Sequence, residues 1–300
     1  MDKLEQLTVI GTGLLGTSVA LGVRAAGLAH RIVGVGRRAA TLDAAYATGG
    51  YDEVTSDLPA AVRRSDLILI AVPLSGFDSV FQQLATIVRD DAVLTDVGST
   101  KQSVLAAARK RLSHPGRFVG SHPMAGREQQ GPEAASAELC RGKPCIITPE
   151  PDTDADALAV VDGLWEALGM RLIRMSAEEH DRETAVISHL PHAMAALIVQ
   201  VAAELGGWDV ASTGFRDTTR LASSNPPMRA DILSANRDQV LEALAAMRGQ
   251  IGRLEAILVR RDRDSLLDLL EQSQRARDRW LSGRPDLRKS AEDPPGQEGE

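Results

Sequence analysis

The stretch Leu7-Thr8-Val9-Ile10-Gly11-Thr12-Gly13-Leu14-Leu15-Gly16-Thr17-Ser18-Val19-Ala20-Leu21-Gly22-Val23 decides the fold. Leu7–Gly11 reads as a short apolar strand, and Leu15–Ala26 has helical periodicity that Gly27 stops. Between them lies G-x-G-x-x-G. A strand before this turn and a helix after it is the setting in which it binds a dinucleotide. Gly11 permits the turn, Gly13 lets a pyrophosphate approach the backbone, and Gly16 lets the helix pack on the strand. Free N–H groups at the helix start, around Leu14 and Leu15, then face the phosphates. The competing reading is a merely structural turn. The run is uncharged and could pass for a signal peptide or a membrane span. However, Lys3 is balanced by Asp2 and Glu5, and Gly11, Gly13, Gly16 and Gly22 interrupt the run. We therefore expect no membrane anchor and a cytoplasmic location.

Strand and helix signals alternate outward from this turn. Strands are expected at Ile32–Val35, Asp66–Val72, Ala92–Val97, Phe118–Gly120, Cys145–Thr148 and Arg171–Met175. Helices are expected at Thr41–Ala47, Phe77–Val88, Lys101–Leu112 and Asp154–Leu168. Asp66–Val72 reads DLILIAV, the unbroken apolar run of a strand buried on both faces. The pattern predicts an α/β fold, a doubly wound Rossmann sheet with helices on both faces. From Ala177 onward the strand signals stop. Pro191 is expected to kink a helix there. Val240, Leu244, Met247, Ile251, Leu254 and Leu258 form a heptad-like seam, and Asn236 with Gln239 resembles a capping box at its start. A second helix carries Leu266, Leu270 and Trp280, with Asp264 as its cap. The seam fits packing inside one subunit or a helical homodimer; a stripe so narrow favours the homodimer. The expected division is a dinucleotide-binding domain over 1–175, an all-helical substrate and dimerisation domain over 176–283, and a disordered tail over 284–300.

Composition narrows the function. Lys+Arg is 34 against Asp+Glu 41, a net charge of −7, and aromatics are 3%. A nucleic-acid binder would be basic or carry stacking platforms, so nucleic acid is not an expected partner. Cys140 and Cys145 make neither a disulfide framework nor a zinc set, and read as reduced thiols. Near the end of the second strand, where an NAD enzyme places an acid, this chain reads Val35-Gly36-Arg37-Arg38. Arg37 and Arg38 could pair with a 2′-phosphate, which favours NADP over NAD. If both are solvated surface charges, NAD remains possible.

Two segments should point at the nicotinamide from the carboxyl edge of the sheet. They are Asp96-Val97-Gly98-Ser99-Thr100-Lys101 and Gly120-Ser121-His122-Pro123-Met124-Ala125-Gly126. His122 can accept a proton at neutral pH, and Ser99 can orient it or bind the same substrate oxygen. The helical half adds His180-Asp181, then Ser188-His189-Leu190-Pro191-His192, then Gly214-Phe215-Arg216-Asp217-Thr218-Thr219-Arg220. His189 and His192 share a helix face but have no third ligand, so no metal is expected. An arginine fork matches a carboxylate, although a surface salt bridge would also explain one.

G-x-G-x-x-G, DVGSTK, GSHPMAG, HDRETAVISHLPH and GFRDTTR, in this order over about residues 7–282, resemble the prephenate/arogenate dehydrogenase family. That resemblance implies a Rossmann domain joined to a helical dimerisation domain. It also implies oxidation of prephenate or arogenate with NAD(P) and loss of CO2 in tyrosine biosynthesis. It assigns the hydroxyl proton to His122, with Ser99 bonded to the histidine or the hydroxyl. Carboxylate recognition falls to Arg220, with His192 as a pocket contact, Arg216 as supporting charge and His189 less defined. After Pro226-Pro227-Met228 the commonest family motif has an aromatic residue; here Arg229 follows. A β-hydroxyacid dehydrogenase would place a lysine base in the helical half, and none stands between Leu172 and Leu287. A catalytically silent nucleotide-sensing dimer would lack residues of the His122 or Arg220 type.

Overall fold

The computed structural model describes residues 2–126 and 129–283. The tail at 284–300 lies outside the described residues. Contacts divide the chain into two compact units, Met1–Leu241 and Glu242–Glu300.

The first unit holds the sheet. Its strands are β1 (Leu4–Ile10), β2 (Ala29–Val35), β3 (Glu53–Thr55), β4 (Leu67–Ile70), β5 (Val93–Asp96), β6 (Phe118–Pro123), β7 (Pro144–Thr148) and β8 (Arg171–Arg174). Their order is β3-β2-β1-β4-β5-β6-β7-β8. The chain direction across the sheet reverses between β1 and β4, which opens a ligand crevice at the carboxyl ends of those strands. Helices α1 (Leu14–Ala25), α2 (Ala39–Ala47), α3 (Leu58–Val62), α4 (Phe77–Leu84), α5 (Gln102–Arg111) and α6 (Ala155–Ala167) complete the wound part. The expected α/β Rossmann architecture is present.

Strand β4 shows why the sheet is covered on both sides. Leu67, Ile68, Leu69 and Ile70 are fully buried. Leu67 and Leu69 join one core with Val19 and Trp165, while Ile68 and Ile70 join the other with Phe81 and Phe118. Each such side chain contributes about 1.5–3 kcal/mol by leaving water. Two short elements escape the periodicity reading. β3 has 3 residues and α3 has 5, fewer than one repeat of pattern needs. Strand β6 is longer than expected and takes in Ser121, His122 and Pro123. The reason is β7, which pairs antiparallel along its edge with His122 opposite Ile146. An antiparallel neighbour needs no crossover helix, so the alternation of strands and helices does not reveal it.

A capping box starts the helical stretch. Ser176 Oγ accepts the Glu179 N–H at 3.2 Å and Glu179 accepts the Ser176 N–H at 2.9 Å. Helix α7 (Ala177–Thr184) then widens into a π-helical turn at Ala185–His189 and continues as α8 (Leu190–Leu205). Pro191 has no N–H for the usual bond one turn back, and the widened turn just before it absorbs the misfit. Ala177–Leu205 is long and apolar enough to cross a membrane by length and composition alone. It nevertheless carries His180, Asp181 and His189, each at most 2% exposed within the unit. Helices α9 (Thr213–Thr219), α10 (Pro226–Ala235), α11 (Arg237–Val259) and α12 (Arg263–Ser282) follow.

Two expected caps are corrected. The cap of α12 is Asp262, which accepts the Ser265 N–H at 3.1 Å, so the helix starts before Asp264. The Asn236 side chain does not cap α11; it points inward, as described below. Within the second unit Leu244 and Met247 are half-buried, whereas Ile251, Leu254 and Leu258 are exposed on the single chain.

Candidate active site

The glycine turn has the shape a dinucleotide needs. Gly11 takes φ +104°, and a Cβ there would stand 2.3 Å from the Ala71 carbonyl oxygen. At Gly13, the residue that caps α1, an added Cβ would meet nothing within 4 Å. Ligand atoms can therefore reach the backbone where the N–H groups of the first helical turn have no internal acceptor. Thr12 Oγ1 is buried beside Gly36 with no hydrogen-bond partner. An orphaned hydroxyl at the end of β2 fits a ribose or phosphate oxygen. Arg37 and Arg38 follow β2 and are exposed, with no ion pair among the described residues. The cradle fits a nicotinamide dinucleotide.

His122 lies near the carboxyl end of β6, 8% exposed. The strand ends around it are locked by a buried ion pair. Lys101 Nζ donates to Asp96 Oδ2 at 2.5 Å and to the Ser121 carbonyl at 2.7 Å. Asp96 also accepts the Ser121 N–H at 2.9 Å and the Gly98 N–H at 2.7 Å. One carboxylate thus ties the end of β5 to the residue before His122.

The ring itself is held by a chain of hydrogen bonds. His122 Nδ1 lies 2.8 Å from His180 Nε2, and His180 Nδ1 lies 2.7 Å from Asp181 Oδ1. Asp181 accepts the backbone N–H groups of Lys101 at 2.7 Å and Gln102 at 3.0 Å, at the start of α5. Burial alone would raise the Asp181 carboxyl. The bonds from His180 and from those two N–H groups more than offset burial and hold it below the ordinary carboxylate range. Asp181 is therefore an anion that only accepts, so His180 Nδ1 carries a proton. The neutral ring of His180 then offers Nε2 as an acceptor, and His122 Nδ1–H donates to it. The lone pair of His122 is left on Nε2. Burial pushes the His122 ring well below the ordinary histidine value, and the charge of Lys101 acts in the same direction. The neutral ring therefore keeps its lone pair on Nε2 at neutral pH.

The other sequence-derived residues fall into place unevenly. Ser99 is half-buried in the loop before α5 and makes no bond to His122 among the described residues. The histidine's partner is His180 instead. His192 is half-buried, and its Nδ1 lies 3.3 Å from the Leu221 carbonyl. Arg220 is exposed at the end of α9, close enough for its charge to act on His192. His189 is 2% exposed, and its Nδ1 lies 3.0 Å from Asn236 Nδ2. Arg216 is not brought into this group. It is exposed and bonded to Asp217 at 2.9 Å. Four residues apart on one helix, Arg216 and Arg220 would share a face, but α9 stops at Thr219 and Arg220 opens a 3-10 turn.

The sequence marks His180-Asp181 and the segment Asp96–Lys101 without giving His180, Asp181, Asp96 or Lys101 a task, and Asn236 reads there as a helix cap. The adjacent His-Asp pair just after a capping box was the available signal for the first. Asp96 and Lys101 stand five residues apart in one quoted segment, whereas the partners of Asn236 are remote in sequence.

Residues 19–174 match the family described as prephenate dehydrogenase, nucleotide-binding domain, and residues 176–272 match prephenate dehydrogenase, dimerization domain. A cyclohexadienyl dehydrogenase of Zymomonas mobilis is 34% identical over 286 residues, covering 92% of this chain and 96% of that protein. A prephenate dehydrogenase of Bacillus subtilis is 32% identical over 280 residues, covering 91% of this chain and 76% of its own length. A crystal structure of prephenate dehydrogenase from A. aeolicus with hydroxyphenyl propionate and NAD+ superposes with TM-score 0.87 at 30% identity, covering 93% of this chain and 98% of that one. A Synechocystis arogenate dehydrogenase superposes with TM-score 0.79 at 30% identity, covering 92% and 99%.

Proposed function

This chain belongs to the prephenate dehydrogenase family and is an NAD(P)-dependent oxidoreductase, and from that premise we propose that it oxidises and decarboxylates prephenate or arogenate with His122 as general base. The products are 4-hydroxyphenylpyruvate or tyrosine. One observation carries the assignment to His122: the run Asp181–His180–His122 leaves the lone pair on Nε2 of a buried, neutral ring.

The substrate is a cyclohexadienol whose ring carboxylate lies para to the hydroxyl-bearing carbon. Bound nicotinamide supplies the acceptor for the hydride of that carbon. His122 Nε2 takes the hydroxyl proton as the oxygen gains carbonyl character. His180 spreads the positive charge that His122 acquires, backed by the Asp181 anion. When CO2 leaves, the electron pair of its bond flows through the ring onto the same oxygen. His122 returns its proton there, giving the phenol and restoring the neutral base. Aromatisation makes the step irreversible. Burial excludes water from the base, so its proton goes to the substrate.

We assign the dinucleotide to Gly11, Gly13, Gly16 and the N–H groups at Leu14 and Leu15, with Thr12 Oγ1 as a further contact. Arg37 and Arg38 are assigned to a 2′-phosphate, which makes NADP the preferred form over NAD. Arg220 and His192 are assigned to substrate, with His189 beside them and Ser99 at the hydroxyl. Arg37→Ala should raise KM for NADP by roughly 10–100-fold, the worth of one or two charge-assisted bonds, and change KM for NAD little. Equal effects on both nucleotides would remove Arg37 from the 2′ position.

Residues 176–283 are assigned to substrate binding and dimerisation. The exposed apolar residues Leu197, Val201 and Leu205 in the first unit, and separately Ile251, Leu254 and Leu258 in the second, are the residues we assign to contact with a second copy of the chain. The proposed location is the cytoplasm, where nicotinamide cofactors are supplied. Initial rates with prephenate and with arogenate, each with NAD and NADP, test the function. Reduction of the nicotinamide matched by 4-hydroxyphenylpyruvate or tyrosine is expected; no turnover in any of the four mixtures would end the proposal.

A further inference from the structure

Arg229 stands in the first turn of α10, half-buried, and its Nε is wholly buried with no hydrogen-bond acceptor. Among the described residues no carboxylate pairs with it. Other partly buried arginines are matched: Arg111 holds Asp78 at 2.7 Å and Arg117 holds Asp154 at 3.1 Å. A guanidinium drawn out of water without a counter-charge is a standing cost to the fold. Burial pushes its pKa down, and no other influence opposes that.

Its surroundings are short of acceptors too. Arg229 and Ile232 lie at i and i+3 on α10, and Asn236, the residue that caps its end, follows at i+7 on the same side. Ile232 and Asn236 are both 3% exposed, so that face is the buried one. Asn236 Nδ2 donates to the Asp181 carbonyl at 2.7 Å, which fixes the orientation of its amide. The same Nδ2 meets His189 Nδ1 at 3.0 Å, so that nitrogen is the acceptor and the neutral ring carries its proton on Nε2. Burial lowers His189 to about 4, which keeps it neutral. Its Nε2–H is buried and has no acceptor. The charge of Arg229 reaches both His189 and His192. Two unmet donors, one of them on an uncompensated cation, call for an anionic acceptor.

We propose that Arg229 is a specificity-determining residue that binds a substrate carboxylate together with His189 Nε2–H and makes the enzyme prefer prephenate to arogenate. This rests on the function proposed above. The two substrates share their carboxylates and differ in one group. Prephenate has a keto side chain and carries two negative charges; arogenate has an ammonium group and a net charge of one less. An uncompensated guanidinium favours the dianion and repels the ammonium. A keto oxygen is also an acceptor for a waiting N–H, whereas an ammonium is another donor.

The test is kcat/KM for both substrates in the wild type, Arg229→Gln and Arg229→Lys, with the thermal midpoint of each. The wild type should favour prephenate by about 10-fold or more, the scale on which a pocket contact discriminates. Arg229→Gln should cut the prephenate-to-arogenate ratio by about 10-fold or more, chiefly through KM for prephenate. Arg229→Lys, which keeps the charge, should retain most of the preference. The midpoint of Arg229→Gln should not fall, because an unpaired charge is removed; a structural arginine would lower it and leave the ratio alone. A wild type that prefers arogenate, or a ratio unmoved by Arg229→Gln, overturns the inference while leaving the proposed reaction standing. A wild type inert to both substrates would instead overturn that reaction, and this inference with it.

Discussion

Replacing His122 by asparagine is expected to lower kcat by roughly 10²–10⁴-fold, the usual worth of a positioned general base, and to leave KM within a factor of a few. Asparagine has a donor and an acceptor of similar reach but no basic nitrogen, so binding survives and proton removal does not. The neighbours of His122 make the substitution a clean one. Ser121 is held by Asp96 through its backbone N–H, and His122 is paired to Ile146 across β6 and β7 by main chain. Neither support depends on the imidazole. Steady-state rates at saturating substrate and cofactor are the measurement. Turnover near the wild-type value would take the proton-transfer role away from His122.

Asp181→Asn is expected to cost kcat about 10²-fold or more with little change in KM, because it reverses the tautomers of the whole chain. An aspartate can only accept from His180 Nδ1. The amide of an asparagine can donate to it. His180 Nε2 would then carry the proton and donate to His122 Nδ1, leaving His122 with its proton on Nε2, where the base should be empty. Asparagine placed to donate to His180 keeps an oxygen for the Gln102 N–H but loses the acceptor of the Lys101 N–H, because one carboxylate oxygen serves both His180 and Lys101, so part of the cap at the start of α5 goes with it. A merely structural Asp181 would show the loss in thermal midpoint or in active fraction, not in kcat per active site. Unchanged kcat would show that the orientation of the His180 ring does not matter to catalysis.

Much of the fold was legible because its signals are local. An apolar run such as Leu67–Ile70 needs cover on both faces, and it says so in four letters. The glycine turn states its own geometry, since a Cβ at Gly11 or Gly16 would sit within 2.3 Å of a backbone oxygen. The strand-end place of His122 was legible for the same reason, since it follows the apolar run of β6. What stayed hidden depends on pairing at a distance. The antiparallel β7 is set by which edge the chain returns to, and no residue in Cys145–Thr148 records that. Asn236 was read as a helix cap because asparagine suits that task; its amide instead spans 55 residues to reach Asp181. Likewise the partner of His122 is 58 residues away in the helical stretch, whereas Ser99 lies in a loop at the same edge of the sheet. Arg216 was expected near Arg220 as supporting charge, but α9 ends between them, which leaves Arg216 bonded to Asp217 and Arg220 near His192.

The pH dependence of kcat/KM for the preferred substrate tests most directly whether His122 works as a buried neutral base. A general base acts in its deprotonated form, so lowering its pKa moves the acid limb of the profile to lower pH. Burial and the nearby Lys101 charge set His122 well below 6.5. The account predicts an acid limb below pH 6.5 and a rate that is flat from there through neutrality. A limb at pH 7 or above, or a rate still climbing through that range, would contradict it.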